Sequence, residues 1–235
     1  LDEAHEEGIN LKKLNMRLLF AAESFTEKFR DYVVKKAGVR NPILDTLNIY
    51  GTADIGAMAY ETPTSILIRR LAMKNPKLFK DIFHDVSKTP TLAQYNSLFM
   101  TFEVYGEDIL LTGDNTIPLI RYAIGDHGGV TSFANISKKL RDNNIDLKKE
   151  ASRTRASSYI SETPFAYVYE RKDFSTTLYG LQIYPEIIRE VLLDEPHDLH
   201  LTGKFSMLTK FDRKNNQYLE INLEMKKGKK TNKQI

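Results

Sequence analysis

Apolar residues near the start of the chain switch from a strand pattern to a helix pattern and back. Residues 14–20 form a short apolar run that predicts a buried strand. Apolar side chains at helical spacing then continue to Gly38, and Ser24 with Glu27 three positions later indicates a capping box at the helix start. Residues 46–50 predict a second strand, which runs into Gly-Thr-Ala-Asp. Two successive strands thus end in loops of small residues, which is where open α/β sheets bind ligands.

Helical spacing returns in four later segments, and proline begins three of them. Proline suits the first turn of a helix because an N–H at that position has no partner within the helix. The predicted helices cover residues 63–73, 76–83, 133–143 and 185–193.

Apolar runs between these helices predict further strands. Two hairpins are expected, with turns at residues 106–107 and 212–216. The predicted strands cover residues 99–105, 108–112, 165–169, 175–183, 203–211 and 217–225. Residues 147–163 are charged and rich in serine with little periodicity, so we expect a mobile or poorly packed connection there. Taken together, the elements predict a mixed α/β fold.

One apolar run stands out because of the way it stops. Residues 117–124 end abruptly at Gly125 and Asp126, and His127 with two glycines follows. The pattern predicts a buried strand that brings one carboxylate to the edge of a loop, an arrangement suited to a ligand site. A plain turn is the alternative, since Gly and Asp are ordinary turn residues.

Composition narrows the class of protein. The chain has 235 residues, of which 41% are hydrophobic, enough for one large domain or for one domain with a smaller second one. Lys and Arg exceed Asp and Glu by 34 minus 31, and five lysines lie in the last ten positions. The rest of the chain is near neutral, so we expect neither a nucleic-acid nor a membrane partner.

Cysteine is absent, which excludes disulfides, thiolate metal sites and cysteine nucleophiles. This absence is compatible with a reducing compartment, and we predict a cytoplasmic location. The segment His197-Asp198-Leu199-His200 carries two histidines without an obvious third ligand, so a surface turn is favoured there over a metal site.

Three blocks in order resemble the adenylate-forming superfamily of acyl-CoA synthetases, and within it the phenylacetate-CoA ligase-like branch. The blocks are Tyr-Gly-Thr-Ala-Asp at residues 50–54, Pro-Leu-Ile-Arg-Tyr-Ala-Ile-Gly-Asp at residues 118–126, and Glu-Arg-Lys-Asp at residues 170–173 with Tyr-Gly-Leu-Gln-Ile-Tyr-Pro-Glu at residues 179–186. The resemblance extends from about residue 18 to about residue 225. It implies ATP-dependent activation of a small-molecule carboxylic acid to an acyl-adenylate, followed by acyl transfer to CoA or to a carrier-protein thiol.

The first block has the residue types that the family places around ATP and Mg²⁺. Tyr50 resembles the aromatic residue that stacks on adenine, and Asp54 resembles the acidic residue that engages Mg²⁺, a hard cation that prefers oxygen ligands. Ala53 departs from the family pattern, which has Ser or Thr there against the α-phosphate. Thr52, one position earlier, is the candidate to take that role.

The later blocks imply further contacts with the nucleotide. Asp126 resembles the carboxylate that accepts hydrogen bonds from both ribose hydroxyls, and Arg171 resembles the arginine near the ribose and phosphate. Asp173 matches the hinge position, and Gly180 matches the glycine beside the pantetheine arm of CoA. The loop beside the adenine and acyl pocket corresponds to Ala21, Ala22 and Glu23.

Other interpretations of these residues stay open from the sequence alone. Tyr50 also suits a core position at a strand end, Arg171 and Asp173 suit a surface ion pair, and Gly180 suits a bulge. A degenerate module that binds nucleotide or acyl ligand without turnover is the alternative function.

The resemblance also implies an organisation into two parts. Residues 1–172 correspond to the C-terminal portion of the large nucleotide- and acyl-binding domain, a sheet flanked by helices with a hairpin or barrel-like piece. Residues 173–235 correspond to the start of the small, mobile α+β C-terminal domain. The family's Gly-rich phosphate loop and its C-terminal lysine have no counterpart in the chain. We therefore expect a fragment of a longer enzyme that contains no catalytic residue of its own and is inactive alone; a homodimer is one expected assembly.

Overall fold

A computed structural model describes residues 1–21, 25–83, 88–114, 118–169, 175–194 and 197–229. The chain divides into two compact units, Leu1–Glu170 and Arg171–Ile235. In the part of the chain that is described, none of the helices is long and apolar enough to cross a membrane.

The first unit combines helices with a large sheet. Its helices are α1 (Asp2–Glu6), α2 (Glu27–Ala37), α3 (Pro63–Lys74), α4 (Pro76–Ile82), α5 (Phe133–Asp142) and α6 (Leu147–Arg153), with 3₁₀ turns at Leu11–Leu14 and Ser157–Tyr159. Its strands are β1 (Leu18–Ala21), β2 (Thr46–Thr52), β3 (Gly56–Tyr60), β4 (Thr91–Gln94), β5 (Met100–Tyr105), β6 (Asp108–Gly113), β7 (Leu119–Thr131) and β8 (Phe165–Val168). The mixed α/β class expected from the sequence is confirmed.

The eight strands form a single mainly antiparallel sheet in the order β1-β2-β3-β4-β8-β7-β6-β5. The parallel pair is β1 with β2, with Leu18 opposite Thr46. Strands β4 and β8 lie in the middle and are buried along their whole length. Their alternate residues face two different cores, because successive side chains of a strand point to opposite faces of the sheet.

Helices cover one face of this sheet. Leu92 of β4 and Phe165 of β8 pack there with buried residues of α3, α4 and α5. Helix α3 begins at a capping box, in which the Thr62 side chain accepts from the Ser65 N–H and the Ser65 hydroxyl accepts from the Thr62 N–H, with proline in the first turn. On the other face, Ala93 and Ala166 pack with buried residues of β3, β5 and β6.

The second unit is smaller. It contains β9 (Thr176–Leu178), β10 (Leu181–Ile183), α7 (Pro185–Leu192), α8 (His197–His200), β11 (Leu201–Phe211) and β12 (Gln217–Met225). The strands form two antiparallel pairs, β9 with β10 and β11 with β12. Asp212 closes the β11–β12 turn by accepting from the backbone N–H groups of Lys214 and Asn216 at 2.8 Å.

Several expectations from the sequence are corrected. Helix α2 is capped by Thr26, whose Oγ1 accepts from the Phe29 N–H at 3.3 Å, so Glu27 is the first helical residue and not the partner of Ser24 in a capping box. Residues 147–163 are not poorly packed, since they contain α6, and Ala151 and Ala156 are buried in a core cluster. The predicted strand 175–183 is a hairpin, because Tyr179 and Gly180 both have positive φ.

A buried ion network joins α2, α3 and β2. Arg30 and Glu61 are 0% and 2% exposed, and Nη2 of Arg30 donates to Oε1 and Oε2 of Glu61 at 2.8 and 2.7 Å. Nη1 of Arg30 donates to Oγ1 of Thr46 at 2.6 Å, and its Nε donates to Oε2 of Glu27 at 3.1 Å. A buried charge is stable only when it is paired and hydrogen-bonded, as it is here.

Two more arginines belong to this network, and one of them, Arg70, pairs through Nε with Oε2 of Glu27 at 2.7 Å. Arg69 is 1% exposed and donates from Nη1 to Oε1 of Glu27 at 2.9 Å and from Nη2 to the carbonyl of Phe25. Glu61 also accepts from the Asn48 N–H at 2.9 Å. The network therefore connects β2, through the Asn48 N–H, with Phe25, which directly precedes the N-cap residue of α2.

The network makes stability depend on pH. Burial raises the pKa of Glu27, but the charges of Arg69, Arg30 and Arg70 outweigh burial and hold the pKa below the ordinary value of a glutamate. Because the pKa is lower in the folded than in the unfolded state, the stabilisation is present above pH ~4.5 and is lost as the pH falls through the folded pKa. Urea unfolding followed by circular dichroism between about pH 3 and 7, a range that includes the ordinary pKa of glutamate, should show this loss.

Glu27→Gln should be less stable than the wild type at neutral pH and should lose less stability on acidification. Glu3→Gln, a change at an exposed carboxylate of α1, is the control and should follow the wild type. An equal acid dependence of Glu27→Gln and wild type would contradict this role of the network.

Candidate functional site

The first block of the resemblance lies on the β2–β3 hairpin. Strand β2 carries Tyr50 and Thr52, and residues 53–55 form the turn that carries Asp54 at its exposed tip. Oγ1 of Thr52 accepts from the Ile55 N–H at 3.2 Å and so closes the turn. Gly51 is required because a Cβ there would lie 2.5 Å from the carbonyl oxygen of Gly56 on the facing strand.

The second block lies inside β7 and not at the end of a strand. Strand β7 continues from Leu119 to Thr131, so the predicted ending at Asp126 is wrong. The strand continues because it changes partner: its first part pairs with β6, and Gly128 to Thr131 pair with β8. Between the pairs Leu110–Ala123 and Asp108–His127, β7 advances four residues while β6 advances two.

This irregularity sets the position of Asp126. Gly125 has a φ of 82°, which a residue with a Cβ rarely adopts, and it lies within the extra length of β7. Bulges of this kind change the direction in which neighbouring side chains point. Asp126 consequently lies at the point where β7 passes from β6 to β8, and it is half-buried.

The two blocks meet at Tyr50 and Asp126. The Tyr50 hydroxyl donates to Oδ2 of Asp126 at 2.8 Å, although the residues are 76 positions apart. Burial raises the pKa of the Tyr50 phenol, and the adjacent Asp126 charge and hydrogen bond raise it further. The Tyr50 ring stacks against the buried Phe102 ring, with centroids 6.1 Å apart and an interplanar angle of 29°. The phenol therefore stays protonated and holds the carboxylate.

A second contact joins the same two segments. The Tyr122 hydroxyl donates to Oδ2 of Asp54 at 3.1 Å. This hydrogen bond and the Asp54 charge raise the pKa of Tyr122. Tyr50, Ile55 and Tyr122 all pack against the core cluster of β3, β5 and β6. Two hydrogen bonds thus connect the β2–β3 hairpin with β7. In one the hairpin supplies the tyrosine donor, and in the other β7 supplies it.

Tyr122 is not among the site residues predicted from the sequence. A signal was present, because residues 50–54 and residues 122–126 have the same spacing, Tyr-x-x-x-Asp. The structure pairs the two segments head to tail, so that the tyrosine of each donates to the aspartate of the other. Equal spacing in two separated segments is consistent with such reciprocal contacts but cannot show them without the fold.

The remaining predicted site residues are spread over the chain. Ala21 ends β1 beside Ile49 of β2, one residue before Tyr50. Gly180 lies in the β9–β10 turn of the second unit, with a φ of 81°. Ala22, Glu23, Arg171 and Asp173 lie outside the described residues.

The arrangement offers oxygen ligands for a nucleotide and a cation. A carboxylate at the position of Asp126 can accept hydrogen bonds from a ribose diol, and Asp54 supplies the hard oxygen atoms that Mg²⁺ prefers. Within the described ranges, no group of three or more His, Asp or Glu residues could hold a metal by itself. Mg²⁺ at Asp54 would therefore need ligands from elsewhere, such as the phosphate oxygens of a nucleotide.

No protein-family model matches the chain, and a search of curated proteins finds no match. Among solved structures, the anthranilate CoA ligase AuaEII in complex with anthranoyl-AMP gives a TM-score of 0.49 at 13% identity, covering 93% of this chain and 36% of that chain. Wild-type MenE of E. coli with a bound m-phenylether-linked analogue of OSB-AMS gives a TM-score of 0.39 at 10% identity, covering 91% and 37%. The chain thus spans little more than a third of the length of these two proteins, and at these TM-scores neither likeness assigns it an activity.

Proposed function

We propose that this chain is the nucleotide-facing part of an ATP-dependent acid–thiol ligase of the phenylacetate-CoA ligase-like type. The whole protein activates a carboxylic acid as acyl-AMP with release of pyrophosphate and passes the acyl group to CoA or to a carrier thiol. In this proposal Mg²⁺ binds at Asp54, and residues 173–235 begin the small C-terminal domain. The residue blocks at 50–54, 118–126 and 170–186 support it.

The observation that carries the proposal is the hydrogen bond between Tyr50 and Asp126. The two residues come from separate blocks, each of which the family resemblance assigns to the nucleoside, and the fold brings them within 2.8 Å. A half-buried phenol usually finds a hydrogen-bond acceptor, and here that acceptor is the carboxylate that the resemblance assigns to the ribose. The contact therefore supports one shared site.

The geometry suggests how the chain serves adenylation. ATP supplies the adenylyl group, and the acid's carboxylate attacks the α-phosphorus as the bond to pyrophosphate breaks. In our proposal the Asp126 carboxylate accepts from the ribose hydroxyls while the Tyr50 hydroxyl keeps it in place. Fixing the nucleoside in this way lowers the entropic cost of aligning the reacting atoms.

Nucleotide binding by the chain itself tests the proposal. Calorimetry with AMP and ATP should show binding to the wild type, and Asp126→Ala should weaken it by about ten- to a hundredfold, because hydrogen bonds to charged groups contribute roughly 1.5–3 kcal/mol. Asp142→Ala, at an exposed aspartate of α5 that pairs with Lys138, is the control and should bind as the wild type does. Equal affinities of Asp126→Ala and wild type would reject the site.

A second measurement separates turnover from binding. A longer protein that contains this chain should show acid-dependent exchange of pyrophosphate with ATP, and Asp126→Ala should abolish it. Ala53 gives the turn next to Asp54 a methyl group where the family has a hydroxyl. Nucleotide binding without exchange over a broad panel of acids would therefore favour the degenerate binding module.

A further inference from the structure

The tip of the β2–β3 hairpin shows a carboxylate whose position is fixed from another strand. Asp54 lies in the exposed three-residue turn, and the hydrogen bond from Ile55 to Thr52 closes that turn without touching the Asp54 side chain. The contact that the structure gives the carboxylate is with Tyr122, which donates to Oδ2 at 3.1 Å. Among the described residues, no donor is bound to the other oxygen, Oδ1.

We propose that Tyr122 is a positioning residue that holds the Asp54 carboxylate, with Oδ1 open, for the divalent cation of a bound nucleoside triphosphate. The inference rests on the proposed function and adds to it a residue that acts through Asp54. It follows from the two Tyr–Asp hydrogen bonds between residues 50–54 and residues 122–126. In each bond, the tyrosine of one segment donates to the aspartate of the other.

Tyr122 is suited to this role because its own position is well determined. Its ring packs against the core cluster that contains Met58, Phe102 and Ile109. The neighbouring turn residue Ile55 packs on the same cluster and comes within 3.7 Å of the Cβ position of Gly113 in β6. The donor and the turn therefore pack on one core, which keeps the Tyr122 ring next to the turn that carries Asp54.

The benefit is entropic and electrostatic. An aspartate at an exposed turn tip samples several rotamers, and ordering it on binding lowers affinity. A phenol bound to Oδ2 restrains the side chain before the cation arrives, and it donates to the carboxylate without adding a positive charge that would repel the cation. Outer partners of metal ligands act in this way, and their loss typically costs ten- to a hundredfold in metal affinity.

The two tyrosines should therefore affect different parts of nucleotide binding. Tyr50 acts on Asp126, which faces the nucleoside in the proposed function, so its effect does not depend on a cation. Tyr122 acts on Asp54, so its effect should appear only when a divalent cation accompanies the phosphates. A general structural role of either tyrosine would change both parts together.

Calorimetry with AMP and ATP, each with and without MgCl₂, tests the proposal on the complete chain. Tyr122→Phe should reduce the gain in ATP affinity that Mg²⁺ gives by about tenfold, while AMP affinity without Mg²⁺ stays as in the wild type. Tyr50→Phe is the matched control and should weaken AMP binding with and without Mg²⁺. Asp54→Asn should remove most of the Mg²⁺ gain, and Tyr122→Phe added to Asp54→Asn should cause no further loss.

Thermal melting of each variant without ligand shows whether the fold is retained. An undiminished Mg²⁺ gain in Tyr122→Phe would overturn the proposal and leave the proposed function in place. Equal losses for AMP and ATP would also overturn it, since they would show a structural role. Failure of the wild type to bind any nucleotide would instead reject the proposed function, and the inference with it.

Discussion

Glu61→Gln is expected to lower the free energy of unfolding by about 3–5 kcal/mol, because it removes one charge from a buried ion network. Glutamine has nearly the size of glutamate, so the change creates no cavity. It leaves Arg30 and Arg69, which are 0% and 1% exposed, with Glu27 as the remaining buried carboxylate. Taking one partner from a buried pair is costly because the other charge keeps its desolvation penalty.

The structure indicates how the damage would spread. Glu61 accepts two hydrogen bonds from Arg30, one from Nη1 of Arg69 at 3.4 Å and one from the backbone N–H of Asn48 in β2. A glutamine has a single acceptor oxygen and an NH₂ group that cannot accept from any of these donors. The Asn48 contact lies two residues before Tyr50, so partial unfolding around β2 should also disturb the proposed nucleotide site.

Chemical denaturation at neutral pH, followed by circular dichroism, measures the effect. The control is Glu103→Gln, the same substitution at an exposed residue of β5 whose ion pair with Arg121 spans 3.3 Å. Exposed pairs of this kind contribute roughly 0–1 kcal/mol, so the control should unfold close to the wild type. Similar stability losses in both variants would show that the buried network has no special weight.

The helices could be predicted because their signals are local. Proline at the first position and periodic apolar residues identify α3, α4 and α7, and the hairpin of β5 and β6 follows from alternation around Gly106. Strands β3 and β4 were not predicted from the sequence. Strand β4 has four residues buried on both faces, so it lacks the alternation of a half-exposed strand. Strand β3 is Gly-Ala-Met-Ala-Tyr, in which small residues give little strand preference.

The site depends on contacts that no local pattern contains. Tyr50 and Asp126 are both singled out by the sequence, but their hydrogen bond depends on the path of β7 between two partner strands. That path depends on a bulge, and a bulge inserts residues without any change in apolar character. The ion network is likewise invisible in sequence, since Arg30 and Glu61 have the residue types of a solvated surface.

Gly128→Ala is expected to destabilise the protein by about 3 kcal/mol or more, because overpacking a rigid site forces the backbone to move. A Cβ at Gly128 would lie 2.0 Å from the carbonyl oxygen of Tyr167 in β8, a backbone atom that cannot rotate away. The shift would fall two residues after Asp126, so the ATP affinity that the proposed function implies should drop even at temperatures where the variant stays folded.

The matched control is Gly113→Ala in β6. Its Cβ would meet the Met100 sulfur at 3.0 Å, and that flexible side chain can move aside. Thermal unfolding should therefore separate the two variants clearly, with Gly128→Ala far below the wild type and Gly113→Ala near it. If Gly128→Ala melted with the wild type and bound ATP equally well, β7 would not be pressed against β8 at the point where it carries Asp126, and the fixed position of that carboxylate would lose its structural basis.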